Sequence, residues 1–526
     1  MQPEAQPRAK WGKVLDQTRC IGCHACTTAC KSENLVPLGV TRTYVKHVDV
    51  GQWPQARRAH QVTRCNQCAH APCVAACPTS AMFQRPDGIV DFDKRICIGC
   101  KACMAACPYD AIFINPEDHS AEKCNFCAHR IDSGLEPACV VVCPVEAIIV
   151  GDMNDPDSLI AHYVGREVTE VRRPEKETLP KVFYKGAHQA TLDPLAARRP
   201  DGNLFMWSEQ KTGADTVNSG NPAFHNSSAA ALLAYDIPHS LPWDWRVSLY
   251  TWTKGIAAGA YLVAALLIIF DLFAGGRPGG LATFSGLNQH VRSEVPLWQW
   301  VAPVLSGAFL AITGGLLIWD LEHPARFYMI FTRPQWRSWL VKGAFIIAGY
   351  SLVLALHFAV SLVTADEALQ RLLMLAGVPL AVMTAVYTAY LFAQAKARDL
   401  WQNPLLPPHL LVQSLLLGAA ALLPFAVWLE PAAVAPLAWM LGATSLIHLL
   451  MVWGEVTLTH PTAHARLAVW EMTRGRFAAF FWGGIGLVLL AVCAPWLGLA
   501  VVPPALVGLA LHEHAYVQSG QSVPLA

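Results

Sequence analysis

The sequence predicts two fold classes in one chain: an α+β, cysteine-rich head and, after it, an all-α polytopic membrane body of about eight transmembrane helices. Three observations predict this. Sixteen of the 17 cysteines lie between Cys20 and Cys143, and the long apolar runs lie after Trp245. The stretch between them has no cysteine and is rich in charge, Pro, Gly, Asn and Ser. The division is therefore a head over 1–165, a linker or docking segment over 166–245 and a membrane body over 246–526. The 39 basic and 38 acidic residues give a net charge of +1, without the basic surplus of a nucleic-acid binder.

The head comes first. Its cysteines fall into four tetrads. Cys20, Cys23, Cys26 and Cys30 have the spacing C-x2-C-x2-C-x3-C, and Cys97, Cys100, Cys103 and Cys107 repeat it. Cys65, Cys68, Cys73 and Cys77 have a wider middle gap, and Cys124, Cys127, Cys139 and Cys143 an eleven-residue one. Three thiolates two residues apart on a tight loop can wrap three irons of a cubane. The fourth lies on a helix leading away and reaches a neighbouring cluster. Pro78, Pro108 and Pro144 follow three of the fourth cysteines, as suits a helix start. The repeated runs CysProThrSerAlaMet (77–82), CysProTyrAspAlaIle (107–112) and CysProValGluAlaIle (143–148) read as ferredoxin-like half-units. Together they predict an iron–sulfur head of tandem 4Fe–4S dicluster units. Zinc sites need no such grouping. The first twenty residues hold no apolar stretch and no twin-arginine pair, which argues against export and a disulfide scaffold.

Over residues 10–165 the head resembles the four-cluster ferredoxin subunits of the complex iron–sulfur molybdoenzyme family. The resemblance implies four ligand sets: Cys20, Cys23, Cys26 with Cys143; Cys124, Cys127, Cys139 with Cys30; Cys65, Cys68, Cys73 with Cys107; and Cys97, Cys100, Cys103 with Cys77. With all sixteen present, four [4Fe–4S] clusters are expected, a wire between two distant partners.

In the linker, KVFYKG (181–186) reads as a short strand and most of 190–240 as extended chain that docks the head on the membrane.

Apolar segments of bilayer length place spans near 248–274, 298–320, 339–363, 372–393, 409–429, 437–459, 477–495 and 498–516. Head-side loops carry Arg326, Arg333, Arg337, Lys396, Arg398, Arg466, Arg474 and Arg476, against Arg277, Arg292 and Arg371 opposite. The positive-inside rule then puts the head on the cytoplasmic face of the inner membrane.

Polar residues at membrane depth are costly and mark function. Tyr250, Trp252 and Lys254 open the first span; Asp320 closes the second, with Arg326 beyond it; Tyr387 and Tyr390 lie toward the head-side end of the fourth. Their shared level predicts a polar pocket under the head, suited to a quinone that takes two electrons and two protons. His448, Glu455, His512 and Glu513, in the second four spans, are candidate proton carriers. Only His357 and His448 sit well inside spans, so paired haem ligands are not expected.

The body resembles the NrfD-type (polysulfide-reductase-type) quinone-interacting membrane subunits. The carriers are GlyIleAlaAlaGly (255–259), AspLeuGluHisProAlaArgPhe (320–327), TrpLeuValLysGlyAla (339–344) and SerGlyGlnSerValProLeu (519–525). The resemblance implies a quinone site in the first four spans, with Tyr387 at the quinone, and a separate molybdopterin-type catalytic subunit as partner. The expected function is electron transfer between that subunit and the quinone pool. The alternatives are a haem-b-type anchor with an iron–sulfur head and a redox-sensing ion transporter.

Overall fold

The computed structural model describes residues 9–198, 230–274, 297–364 and 366–526. Arg277, Arg292 and most of the expected extended stretch of the linker lie outside the described residues.

In the head, strand Trp11–Asp16 pairs antiparallel with Ile148–Asp152 and parallel with Val182–Lys185, and Thr169–Glu170 forms the far edge. The expected strand in KVFYKG is thus present, but it belongs to the head. The boundary drawn at 165 falls inside this sheet, because Val182 and Tyr184 are buried in the same core as Leu15, Cys26 and Cys139. A second sheet joins Leu232–Tyr235, Thr43–Val50 and Arg57–Arg64 antiparallel. Hairpins Met82–Gln84/Val90–Phe92 and Ile112–Ile114/Ala121–Lys123 complete the α+β head.

Four short helices carry the cysteine repeats: Ala25–Glu33, Pro72–Ala76, Ala102–Ala106 and Ala138–Val141. The first packs on the fourth and the second on the third.

The membrane helices are α1 (Trp245–Ala274), α2 (Ala302–Trp319), α3 (Trp339–Val363), α4 (Glu367–Gln394), α5 (Leu406–Leu429), α6 (Val434–Thr457), α7 (Ala463–Thr473), α8 (Ala478–Ala491) and α9 (Val502–Gln521). Among the described residues, seven helices are long and apolar enough to cross a bilayer, or eight if the bent pair α7–α8 counts as one span. Here the structure departs from the expected span 477–495. A 69° bend separates α7 from α8, and α8 has only 14 residues, short of the roughly 20 that span a bilayer. α1 runs through the centre against α2, α4, α5 and α9. Its closest crossing is at Gly259 and Gly418, where a Cβ on Gly259 would stand 1.7 Å from the Ser414 carbonyl oxygen. Small residues permit such backbone approach between membrane helices.

The head sits on the α2–α3 loop. Glu322 N–H donates to the Gly99 carbonyl (3.3 Å) and His323 N–H to that of Ile98 (3.2 Å). Gly99 has φ +69, and a Cβ there would lie 2.4 Å from Glu322 Cβ, so this contact requires glycine. Gln335 and Ser338 reach the carbonyls of Val74 and Ala76. A strap at 519–526, buried throughout, closes the joint from below. Arg398 Nη1 donates to the carbonyls of Gln521 and Val523, Arg172 to Leu525 and Lys46 to Ala526.

Candidate functional site: cysteine sets above a membrane cavity

The first cysteine set is compact: Cys20, Cys23, Cys26 and Cys143 line one cavity. Cys77, Cys97, Cys100 and Cys103 line another. Burial pushes the Cys30 thiol up to about 12, and Cys124, Cys139 and Cys127 beside it add to the shift. The Asn34 amide lies 3.7 Å from Cys30 Sγ and 3.6 Å from Cys127 Sγ, joining the same group. Burial likewise raises Cys73 well above the usual thiol range, with Cys65, Cys107 and Cys68 as its thiol neighbours. In each group the odd member comes from a different tetrad, carried across by a short helix. A ring of four thiolates suits a cubane, and four such groups occur. Backbone N–H groups point at the sulfurs: Met82 at Cys77 (3.3 Å), Ala147 at Cys143 (3.2 Å) and Ala121 at Cys97 (3.5 Å).

Cys139 is distinctive. Burial alone would raise its thiol, but Lys13 and Arg64 outweigh it and bring it to about 7. Arg64 Nη1 stands 3.1 Å and Lys13 Nζ 3.7 Å from its sulfur.

Directly beneath Cys100 lies a cavity of about 230 Å³. Its walls are mainly apolar, from Val247, Leu317, Ile318, Ile330, Phe331 and Leu340, with Tyr250, Asp320 and Tyr387 as polar points. A few polar groups in an apolar cleft is the usual make-up of a small-molecule site. The Tyr250 hydroxyl is buried without a hydrogen-bond partner among the described residues. Tyr387 occupies room left by Gly343, where a Cβ would sit 2.5 Å from its ring. Lys254 lies behind Tyr387: its Nζ is 5.0 Å from the ring centroid and donates to the Ala385 carbonyl (2.9 Å) and Thr388 Oγ1 (2.6 Å).

Asp320 follows the α2 span directly and faces the head. Its carboxylate is 3.4 Å from Lys101 Nζ and 3.6 Å from Arg246. Burial raises it to about 6 in spite of those cations. Lys101, between Cys100 and Cys103 in sequence, is also 3.2 Å from Glu322. Trp243, whose indole donates to the Cys100 carbonyl (3.1 Å), completes the roof.

The other residues expected in the pocket stand elsewhere. Trp252 points away from the cavity, donating to the Leu506 carbonyl and packing on Phe309. Tyr390 stacks on Trp339 at 4.5 Å. Arg326 donates to the carbonyls of Lys94 (3.0 Å) and Cys97 (2.9 Å), which makes it a docking residue. Sequence reading missed Trp243 and Lys101; their only signal was proximity to α1 and to a cysteine repeat.

In the second half of the body, Glu513 accepts from Thr251 (3.0 Å) and Glu455 from Asn403 (3.0 Å). His448 and His512 are not isolated. With His409 they form one buried cluster on α5, α6 and α9. The reading that only His357 and His448 sit well inside spans is corrected for His512 alone. His409 lies in the first turn of α5 and His512 in the middle of α9, both buried by neighbouring helices.

Buried cysteine sets on a ferredoxin-like head, docked on a helical body of bilayer-length helices, define a multi-pass membrane protein with an iron–sulfur electron-transfer head. Comparison with known families agrees. A profile described as a 4Fe-4S dicluster domain matches residues 59–153, and one described as "Polysulphide reductase, NrfD" matches residues 236–517. This protein belongs to the NrfD polysulphide reductase family, with a 4Fe–4S dicluster domain fused ahead of the membrane part. Among curated relatives, a tetrathionate reductase subunit of Salmonella typhimurium is 44% identical over 214 residues, covering 39% of this chain and 83% of the relative. One of the polysulfide reductase chains of Wolinella succinogenes is 41% identical over 177 residues, 33% of this chain and 93% of the relative. The thiosulfate reductase electron transfer subunit PhsB of Salmonella typhi is 44% identical over 155 residues, 29% of this chain and 80% of the relative.

Proposed function

We propose that this chain is the electron-transfer and quinone-reactive subunit of a membrane oxidoreductase complex. It would carry four [4Fe–4S] clusters on the four cysteine groups and exchange electrons with a separate molybdopterin-type catalytic subunit and the quinone pool. The relatives' names, as subunits of reductases for sulfur compounds, support a catalytic partner. The head-side basic loops support placing the head on the cytoplasmic face of the inner membrane.

One observation carries the quinone reading: the cavity touches Cys100 on one side and Tyr250 and Tyr387 on the other. The clusters supply one-electron relay when bound. The protein's own residues handle the protons. Tyr250 offers a hydroxyl that has no other partner among the described residues. Lys254, held by Ala385 and Thr388, places its amine behind Tyr387. Asp320, between cavity and head, holds or releases a proton toward the water-facing side. The apolar walls leave these groups as the polar points at which protons can be exchanged.

Tyr387→Phe tests this. Quinol turnover should fall by roughly tenfold or more, while dithionite reduction of the clusters stays at the wild-type level. Unchanged turnover would remove the cavity from the account.

A further inference from the structure

The second half of the membrane body contains a grouping that the quinone reading does not use. His409 on α5, His448 on α6 and His512 on α9 converge with ligand-capable atoms all within 4.8 Å of one another, and all three are buried. His409 Nε2 lies 2.8 Å from His448 Nδ1. The His448 and His512 rings meet edge-on, with centroids 4.8 Å apart.

We propose that His409, His448 and His512 form a binding site for a single zinc-class transition-metal ion that clasps α5, α6 and α9. Imidazole is a preferred ligand for such ions, and three histidines with one open position is a recurrent zinc arrangement.

The polar bookkeeping supports a cation here. A neutral imidazole has one donor and one acceptor nitrogen. The contact between His409 and His448 satisfies one nitrogen on each. His448 Nε2 and His512 Nδ1 have no partner among the described residues. Two unpaired ring nitrogens buried between helices are unfavourable unless something accepts their lone pairs. Gln413 Oε1, one turn beyond His409, and Ser445 Oγ, one turn before His448, are also buried and unpaired among the described residues. They offer an oxygen for a fourth position or for a ligand N–H. Zinc–nitrogen bonds of about 2.0–2.1 Å would set the nitrogens roughly 3.3 Å apart, within side-chain rotation of the observed spread. A porphyrin does not fit between rings already in edge contact.

The ion would act as a structural clasp. α5 and α9 both pack on α1, which carries Tyr250 and Lys254, so fixing them fixes the back wall of the cavity.

The test uses the full-length protein in detergent, incubated with Zn²⁺, desalted, and assayed for zinc and iron by mass spectrometry. About one zinc per chain is expected, with zinc-edge absorption showing nitrogen scatterers near 2.0 Å. His409→Gln, His448→Gln and His512→Gln should each lower zinc at least roughly tenfold while iron per chain is unchanged. His357→Gln, at a buried histidine bonded to Tyr261, should keep it. The proposal is overturned by wild-type protein with full iron and no retained zinc, by zinc that persists in all three variants, or by sulfur scatterers, which would place the zinc on cysteines.

Discussion

Replacing Arg64 by methionine should lower the potential of the cluster proposed on Cys30, Cys124, Cys127 and Cys139 by on the order of 100 mV. Arg64 is 2% exposed and ends the strand Arg57–Arg64 with Nη1 3.1 Å from Cys139 Sγ. Its Nε and Nη2 have no partner among the described residues, so the cation is directed mainly at this sulfur. Reduction adds one negative charge to the cluster. At a charge separation of roughly 6 Å and an effective dielectric constant of about 20, the guanidinium stabilises that charge by about 3 kcal/mol. For a one-electron couple this is roughly 120 mV. Methionine matches much of the arginine stem and removes the charge without leaving one unpaired. The assay is a redox titration followed by electron paramagnetic resonance. The signal of that cluster should shift negative the most, while that of the cluster proposed near the membrane, on Cys77, Cys97, Cys100 and Cys103, stays in place. Arg64→Lys should restore most of the potential. A potential unchanged in Arg64→Met, with all clusters assembled, would refute the assignment of Cys139 to this set and the electrostatic argument built on it.

Two further predictions concern pH. Asp320 is raised to about 6 by burial, so it holds its proton below that pH and is ionised above it; its contribution to folding is present at low pH and is lost as pH rises through about 6. Quinol turnover should show a limb near pH 6 that Asp320→Asn abolishes, with the rest of the profile retained. His239 bonds Asp110 of the head (2.5 Å) and Asp236 of the linker (3.1 Å). Burial alone would lower it, but the two carboxylates prevail and raise it to about 9. Its folded value thus exceeds its unfolded one, so the stabilisation of about 3 kcal/mol is complete below about pH 6.5 and is lost as pH climbs through 9. Proteolysis of the linker should accelerate across that window in the wild type and lose this dependence in His239→Gln.

The clearest sequence signals were those with short-range causes. Cysteine spacing singled out the thiols that the fold brings into groups, because in three of the four tetrads the first three cysteines lie on one tight loop. Hydropathy marked seven of the helices because bilayer thickness sets their length. α8 departs from that rule, since the bend after Thr473 turns the backbone aside ahead of a full span. The pocket was legible only in part, for a rotational reason. Tyr250 and Lys254 are four residues apart and share a face of α1, whereas Trp252, two residues from Tyr250, is turned about 200° away and packs toward α9. Tyr390, three residues from Tyr387, is rotated far enough to stack on Trp339. The parallel pairing of Val182–Lys185 with Trp11–Asp16 was hidden because register between distant strands has no local signature. His409 was hidden for the same reason: three helices far apart in sequence bring its partners to it. Of the eight head-side basic residues, Arg326 and Arg398 bond backbone carbonyls of the head and the strap.

The central claim is that a quinone sits against the Cys100 cluster loop and not in the second half of the body. Photolabelling the purified protein with an azidoquinone, followed by peptide mapping, tests it most directly. The account predicts label within 243–250, 314–331, 340–348 or 387–391, competed away by unlabelled quinone. Competable label confined to 406–521 would contradict it.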